Sequence, residues 1–126
     1  MTDTASVREW LRRYVEAWKA YDRELIGDLF SEGASCRYYP YADAISGREA
    51  IVESWFEDRD AEGTFEADYE PYAVEVDRAV VTGTSSYREG AGGEIKRVYF
   101  NCFLLRFDDE GRCVEFTEWY QKRPDA

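Results

Sequence analysis

Glu118 stands between Phe116 and Tyr120 in a segment, residues 112–122, that alternates as a strand does. Val114, Phe116, Glu118 and Tyr120 then share one face, and Cys113, Glu115, Thr117, Trp119 and Gln121 the other. A carboxylate among aromatic neighbours loses hydration, which is costly unless it is paired or protonated. Its pKa should rise, and a carboxyl that titrates near neutrality can act as a general acid or base. The competing readings are a structural or ligand-orienting carboxylate, bonded to Tyr14, Asn101 or an arginine, and outward exposure through a bulge.

Two polar groups complete the candidate catalytic set. Asn101 can both donate and accept, so it could orient a ligand carbonyl or simply hold Glu118. Tyr14 lies on a helical stripe, where its hydroxyl could donate to a ligand oxygen. Trp18 and Trp55 fit a cavity roof on helices, although core packing is the plainer reading. Tyr99, Phe103, Phe116 and Tyr120 share strand faces with Asn101 or Glu118. Thr82, Thr84 and Ser86 fall on one strand face and are taken as a cavity wall, although small strand hydroxyls are often incidental. Tyr39, with Tyr38 and Tyr41, sits at a turn that suits a cavity mouth. Arg37 and Arg97 read as solvated strand arginines, with neutralising a ligand carboxylate as the alternative.

Other chemistries are poorly served. The chain has no histidine, which removes His-based triads and the commonest transition-metal ligand. No carboxylate spacing suggests a calcium loop, so no metal or cofactor is expected. The formal net charge of −11 opposes nucleic acid and anionic membrane surfaces. No apolar run reaches membrane length, and the N-terminus lacks a signal-peptide core. Cys36, Cys102 and Cys113 are odd in number and lie in strand-like segments, which suggests free thiols and a cytoplasmic setting. The acidic run from Glu57 to Glu70 reads as a solvated loop.

The elements that must position these groups follow from periodicity. Val7, Trp10, Leu11, Tyr14, Val15 and Trp18 recur at helical spacing over 6–20, behind a Ser6–Glu9 capping box. Asp22 caps a short helix carrying Leu25, Ile26, Leu29 and Phe30, ended by Glu32-Gly33. A strand over 34–39 precedes Pro40. Ser46 and Glu49 open a third helix through Phe56. Strands follow at 65–76, 78–88, 94–107 and 112–122, with Pro71 arguing for an edge or bulge. The order is α-α-β-α-β-β-β-β, and it predicts one α+β domain over 1–126 with helices on one face of an antiparallel sheet. Both faces of 94–107 are apolar, so a second copy is expected to cover the face that the helices leave bare.

The run RRYVEAWKAYDRELIGDLFSEGAS resembles the opening of ketosteroid isomerases and SnoaL-like proteins. SGREAIVESW and FLLRFDDEGRCVEFTEWYQ resemble that superfamily's third helix and final hairpin. The resemblance to the SnoaL-like branch of the nuclear-transport-factor-like superfamily covers nearly the whole chain. It implies a cone-shaped α+β roll with a cavity between curved sheet and helices, and a small-molecule ligand. It does not imply one reaction, because the fold hosts many. Tyr14 matches the oxyanion tyrosine of the isomerases. The base position falls on or beside Tyr39, just before Pro40, and the second oxyanion donor at Phe103, so neither carboxyl is present. Glu118 matches the final-strand Asp of limonene epoxide hydrolases, but their Arg and other Asp fall near Thr84 and Ser86. The His and Asp of SnoaL-type cyclases are also unmatched, since no histidine exists. What remains is cofactor-independent acid–base chemistry on a small, mostly apolar carbonyl or hydroxyl compound. The alternative is a non-catalytic binding or dimerisation module whose own aromatics fill the cone.

Overall fold

The computed structural model describes residues 2–125. α1 (Thr4–Ala20) buries Val7, Trp10, Leu11, Tyr14 and Ala17, the stripe expected from their spacing. Its cap is Asp3 rather than Ser6: the Asp3 carboxylate accepts from the Ser6 amide at 2.7 Å, and Ser6 closes the box. Glu9 instead accepts from Arg12 at 2.6 Å. α2 (Arg23–Gly27) is capped by Asp22 and stops at Asp28, earlier than expected. Leu29 and Phe30 are fully buried outside it, and Phe30 already belongs to β1 (Phe30–Arg37). The Trp10 indole donates to the Leu29 carbonyl at 3.0 Å, which ties α1 to this junction.

A two-residue strand absent from the sequence reading follows, β2 (Ile45–Ser46). It explains why Ser46 does not cap α3 (Arg48–Glu57). Ser46 pairs with Ser35, and the residue before the helix is Gly47 at φ 96°, with no side-chain cap. β3 (Phe65–Glu75), β4 (Arg78–Arg88), β5 (Ile95–Phe107) and β6 (Cys113–Lys122) match the expected spans to within a residue or so. The sheet runs β2-β1-β6-β5-β4-β3, with three helices packed on it. β1 lies parallel to β6, so the sheet is mixed rather than wholly antiparallel. Pro71 sits at a register shift on β3, which is an edge strand.

A second shift places Arg106 opposite Glu115 but Phe107 opposite Cys113. The extra residue resets the alternation, so Cys113 is buried and not outward with Glu115 as alternation alone required. The core joins α1 to Val81, Phe103, Leu105, Phe107 and Phe116 on the sheet.

Gly83 is where two strands come too close for a side chain. A Cβ there would lie 2.7 Å from the Tyr69 ring and 2.8 Å from the Tyr69 Cα, and would also meet the Asp68 carbonyl. Gly83→Ala should therefore lower stability by about 1–3 kcal/mol and push Tyr69 aside. Urea denaturation checks this, and an unchanged midpoint would contradict the close approach.

Candidate active site

The helical face of the sheet does not close completely. A cavity of about 400 Å³ remains, within the range of small-molecule sites. α1 supplies Tyr14 and Trp18 to it, and α3 supplies Ser54 and Trp55. β4 supplies Ser85 and Tyr87, β5 supplies Arg97, Tyr99 and Asn101, and β6 supplies Glu118 and Tyr120.

Tyr14 is the hub of the wall. It stacks on Phe116 at 5.9 Å, with Trp55 at 5.1 Å and Phe103 at 5.8 Å. Phe103 and Phe116 are buried behind Tyr14 in the core and do not line the cavity.

Glu118 is positioned by the β5–β6 register, in which it faces Phe103 and its neighbour Tyr120 faces Asn101. The Asn101 amide donates to Glu118 Oε2 at 2.7 Å. The Ser85 hydroxyl donates to Asn101 Oδ1 at 2.9 Å. Ser85 thereby turns the amide nitrogen towards the carboxyl, a three-residue chain across β4, β5 and β6. Oε2 is held, and Oε1 has no protein partner in this chain of bonds. Burial raises the Glu118 pKa from 4.5 to about 7, against the opposing pull of the Asn101 bond. Near neutral pH the group is thus present in both forms, as a proton-transfer group requires.

The neighbouring hydroxyls stay protonated. Burial, and next the Glu118 charge, push the Tyr14 and Tyr69 phenols well above their usual range. Ser54 donates to the Ile51 carbonyl at 2.6 Å, so the Tyr38 hydroxyl, 2.7 Å away, donates to Ser54. At the other end Asp60 accepts from the Trp18 indole at 3.2 Å and the Tyr21 hydroxyl at 3.4 Å. Burial raises its pKa too. Arg97 lies over the Tyr87 ring at 4.6 Å.

The structure brings Glu118, Tyr14, Asn101, Trp18, Trp55, Tyr99 and Tyr120 to one cavity. It does not bring Thr82, Thr84 or Ser86. Gly83 lies opposite Asn101 and Ser85 opposite Tyr99, so the odd-numbered residues of β4 face inward and those three face away. Tyr39 is half exposed past the end of β1 and is replaced in the wall by Tyr38. The sequence reading also missed Tyr21, Asp58, Asp60 and Tyr69, and it ranked Arg97 as a solvated arginine. Ser85 and Tyr87 share the inward parity of the buried Ala79 and Val81, but Val80 is apolar at the other parity, so alternation alone does not single out that face. Arg37 is not part of the wall, since it donates to the Ala42 carbonyl.

Among the described residues no group of three His, Cys, Asp or Glu could hold a metal ion. Nor is any helix among them long and apolar enough to cross a membrane.

A SnoaL-like domain profile matches residues 11–116. The chain belongs to the SnoaL-like domain family. No curated protein matches it. Among solved structures, this SnoaL-like chain is similar to a putative SnoaL-like polyketide cyclase from Jannaschia sp. CCS1. That likeness has TM-score 0.70 and 16% identity and covers 96% of this chain and 92% of the other. An NTF2-like protein of unknown function from Mesorhizobium loti is 25% identical, with TM-score 0.66 and 96% of both chains covered. A ketosteroid isomerase-like protein from Erwinia carotovora atroseptica gives TM-score 0.64 at 18% identity, over 96% of this chain and 97% of that one. These likenesses bear out the SnoaL-like fold, three helices packed on a curved mixed sheet.

Proposed function

We propose that this SnoaL-like chain binds a small carbonyl or hydroxyl compound in the cavity and that Glu118 exchanges a proton with it. One observation carries the reading: a buried carboxyl, held on one oxygen by Asn101, borders a cavity of about 400 Å³. The Tyr14 hydroxyl, staying protonated, would donate a hydrogen bond to the ligand oxygen, and Asn101 would orient Glu118 and polarise that oxygen. Isomerisation, dehydration, cyclisation and hydrolysis all need such a set. The transfer uses only side chains of this chain and invokes no metal or organic cofactor. The open cavity argues against a cone filled by its own aromatics.

The whole chain, 1–126, would act as one unit, paired with a second copy. Phe100, Leu104 and Trp119 lie exposed on the outer sheet face, an apolar surface that a dimer would cover. The free thiols, two of them buried, fit a reducing cytoplasmic setting.

A thermal-shift screen of small carbonyls and alcohols on wild type and Glu118→Gln tests the reading. Both should bind the same ligand class, and only wild type should turn it over. Turnover should show an inflection near pH 7, rising with pH where Glu118 is the base and falling where it is the acid. If no such compound stabilises wild type, the reading fails.

A further inference from the structure

Among the described residues the cavity wall contains no aliphatic side chain. Nine of its sixteen residues are Tyr or Trp, and the rest are Asp58, Asp60, Glu118, Arg97, two serines and Asn101. A wall built for a purely apolar body would use Leu, Ile and Val, which this chain spends on its core instead. Ring faces carry negative potential, and so do carboxylates. Among the described residues Arg97 is the single cation in the wall, and it is already seated over Tyr87 and, at 5.9 Å, Tyr99.

The surroundings of Glu118 are one-sided in charge. Glu118 is bonded to Asn101 from β5 and shares its cavity with Tyr14 from α1, Tyr38 just past β1, Tyr69 from β3 and Tyr87 from β4, while its charge also acts on the buried Cys36 thiol of β1. Trp55 and Ser54 from α3 are uncharged. Among the described residues no Lys or Arg forms an ion pair with Glu118. A carboxyl in a wall made mostly of Tyr and Trp, with no ion-pair partner of its own, is an environment that suits an ammonium group.

We infer that the ligand is a small organic cation, a protonated or quaternary amine that also carries a hydroxyl or carbonyl, with its nitrogen in the aromatic enclosure at Glu118. The inference rests on the small-molecule reading and deepens it by naming the ligand class; it does not need turnover. The cation would draw Glu118 into its ionised form, so binding releases a proton near neutral pH. Affinity then rises with pH across about 6–8. A neutral ligand that accepts a proton from Glu118 would show the reverse.

The test compares choline, its neutral carbon isostere 3,3-dimethylbutan-1-ol and the anion 3,3-dimethylbutyrate by NMR titration at pH 6 and pH 8. Choline should bind at least about tenfold tighter than the alcohol at pH 8, with a smaller margin at pH 6. Glu118→Gln should remove most of that margin. Trp55→Leu, which keeps apolar bulk but not the ring, should weaken choline more than the alcohol. If the alcohol binds as well as choline, the inference fails and the pocket reading stands. A choline margin that survives both substitutions overturns the inference as well, since general surface charge would then explain it. If none of the three probes binds at either pH, both the inference and the pocket reading fall.

Discussion

Phe103→Asp is expected to lower the folding free energy by about 3–5 kcal/mol or more. Phe103 is 1% exposed and packs between Tyr69 at 4.8 Å and Phe116 at 4.9 Å. Removing the ring opens a void in the core. The new carboxylate would also face Glu118 directly across β5 and β6, with no cation to pair either. Phe103→Leu keeps the position apolar and should cost far less. Urea denaturation of both variants checks the ranking. Equal midpoints for wild type and Phe103→Asp would mean that the inward parity of β5 is wrong.

Glu118→Gln should stabilise the protein at pH 8 and leave it unchanged near pH 4. The folded-state pKa of about 7 lies above the ordinary 4.5. Between those values the folded chain keeps a proton that the unfolded chain has lost. Stability from this group is therefore complete below about pH 4.5 and is lost as pH rises through about 7. The difference corresponds to about 3 kcal/mol at high pH. Gln removes the buried charge and can still accept from Asn101, so the variant should recover most of that amount. Asp60, whose pKa burial also raises, titrates in both proteins and cancels in the comparison. A variant less stable than wild type at pH 8 would show that the carboxylate is not desolvated.

The parts of the site that local alternation governs were legible. Glu118, Asn101 and Tyr99 follow from strand parity, and Tyr14, Trp18 and Trp55 from helical spacing. β4 defeated the same logic because both its faces carry small or apolar residues. There the inward set is fixed by its pairing with β5, which put Ser85 rather than Thr84 or Ser86 against the cavity. Cys113 was misplaced because one extra residue in β6 inverts the alternation, and no residue type marks that bulge. Asp60 looked like part of a solvated acidic loop. Its partners Trp18 and Tyr21 lie about forty residues away, contacts that only the folded loop creates. The capping signals misled in a similar way: Ser46 has the right type but its backbone is engaged by Ser35.

The most direct measurement is the titration of the Glu118 side-chain carboxyl itself, followed by carbon NMR with Glu118→Gln to assign the resonance. A midpoint near 7 is expected, because the group is buried in an aromatic wall and has no ion-pair partner. A midpoint at the ordinary carboxylate value near 4.5 would place it in water and remove the basis for proton transfer and for cation recognition alike.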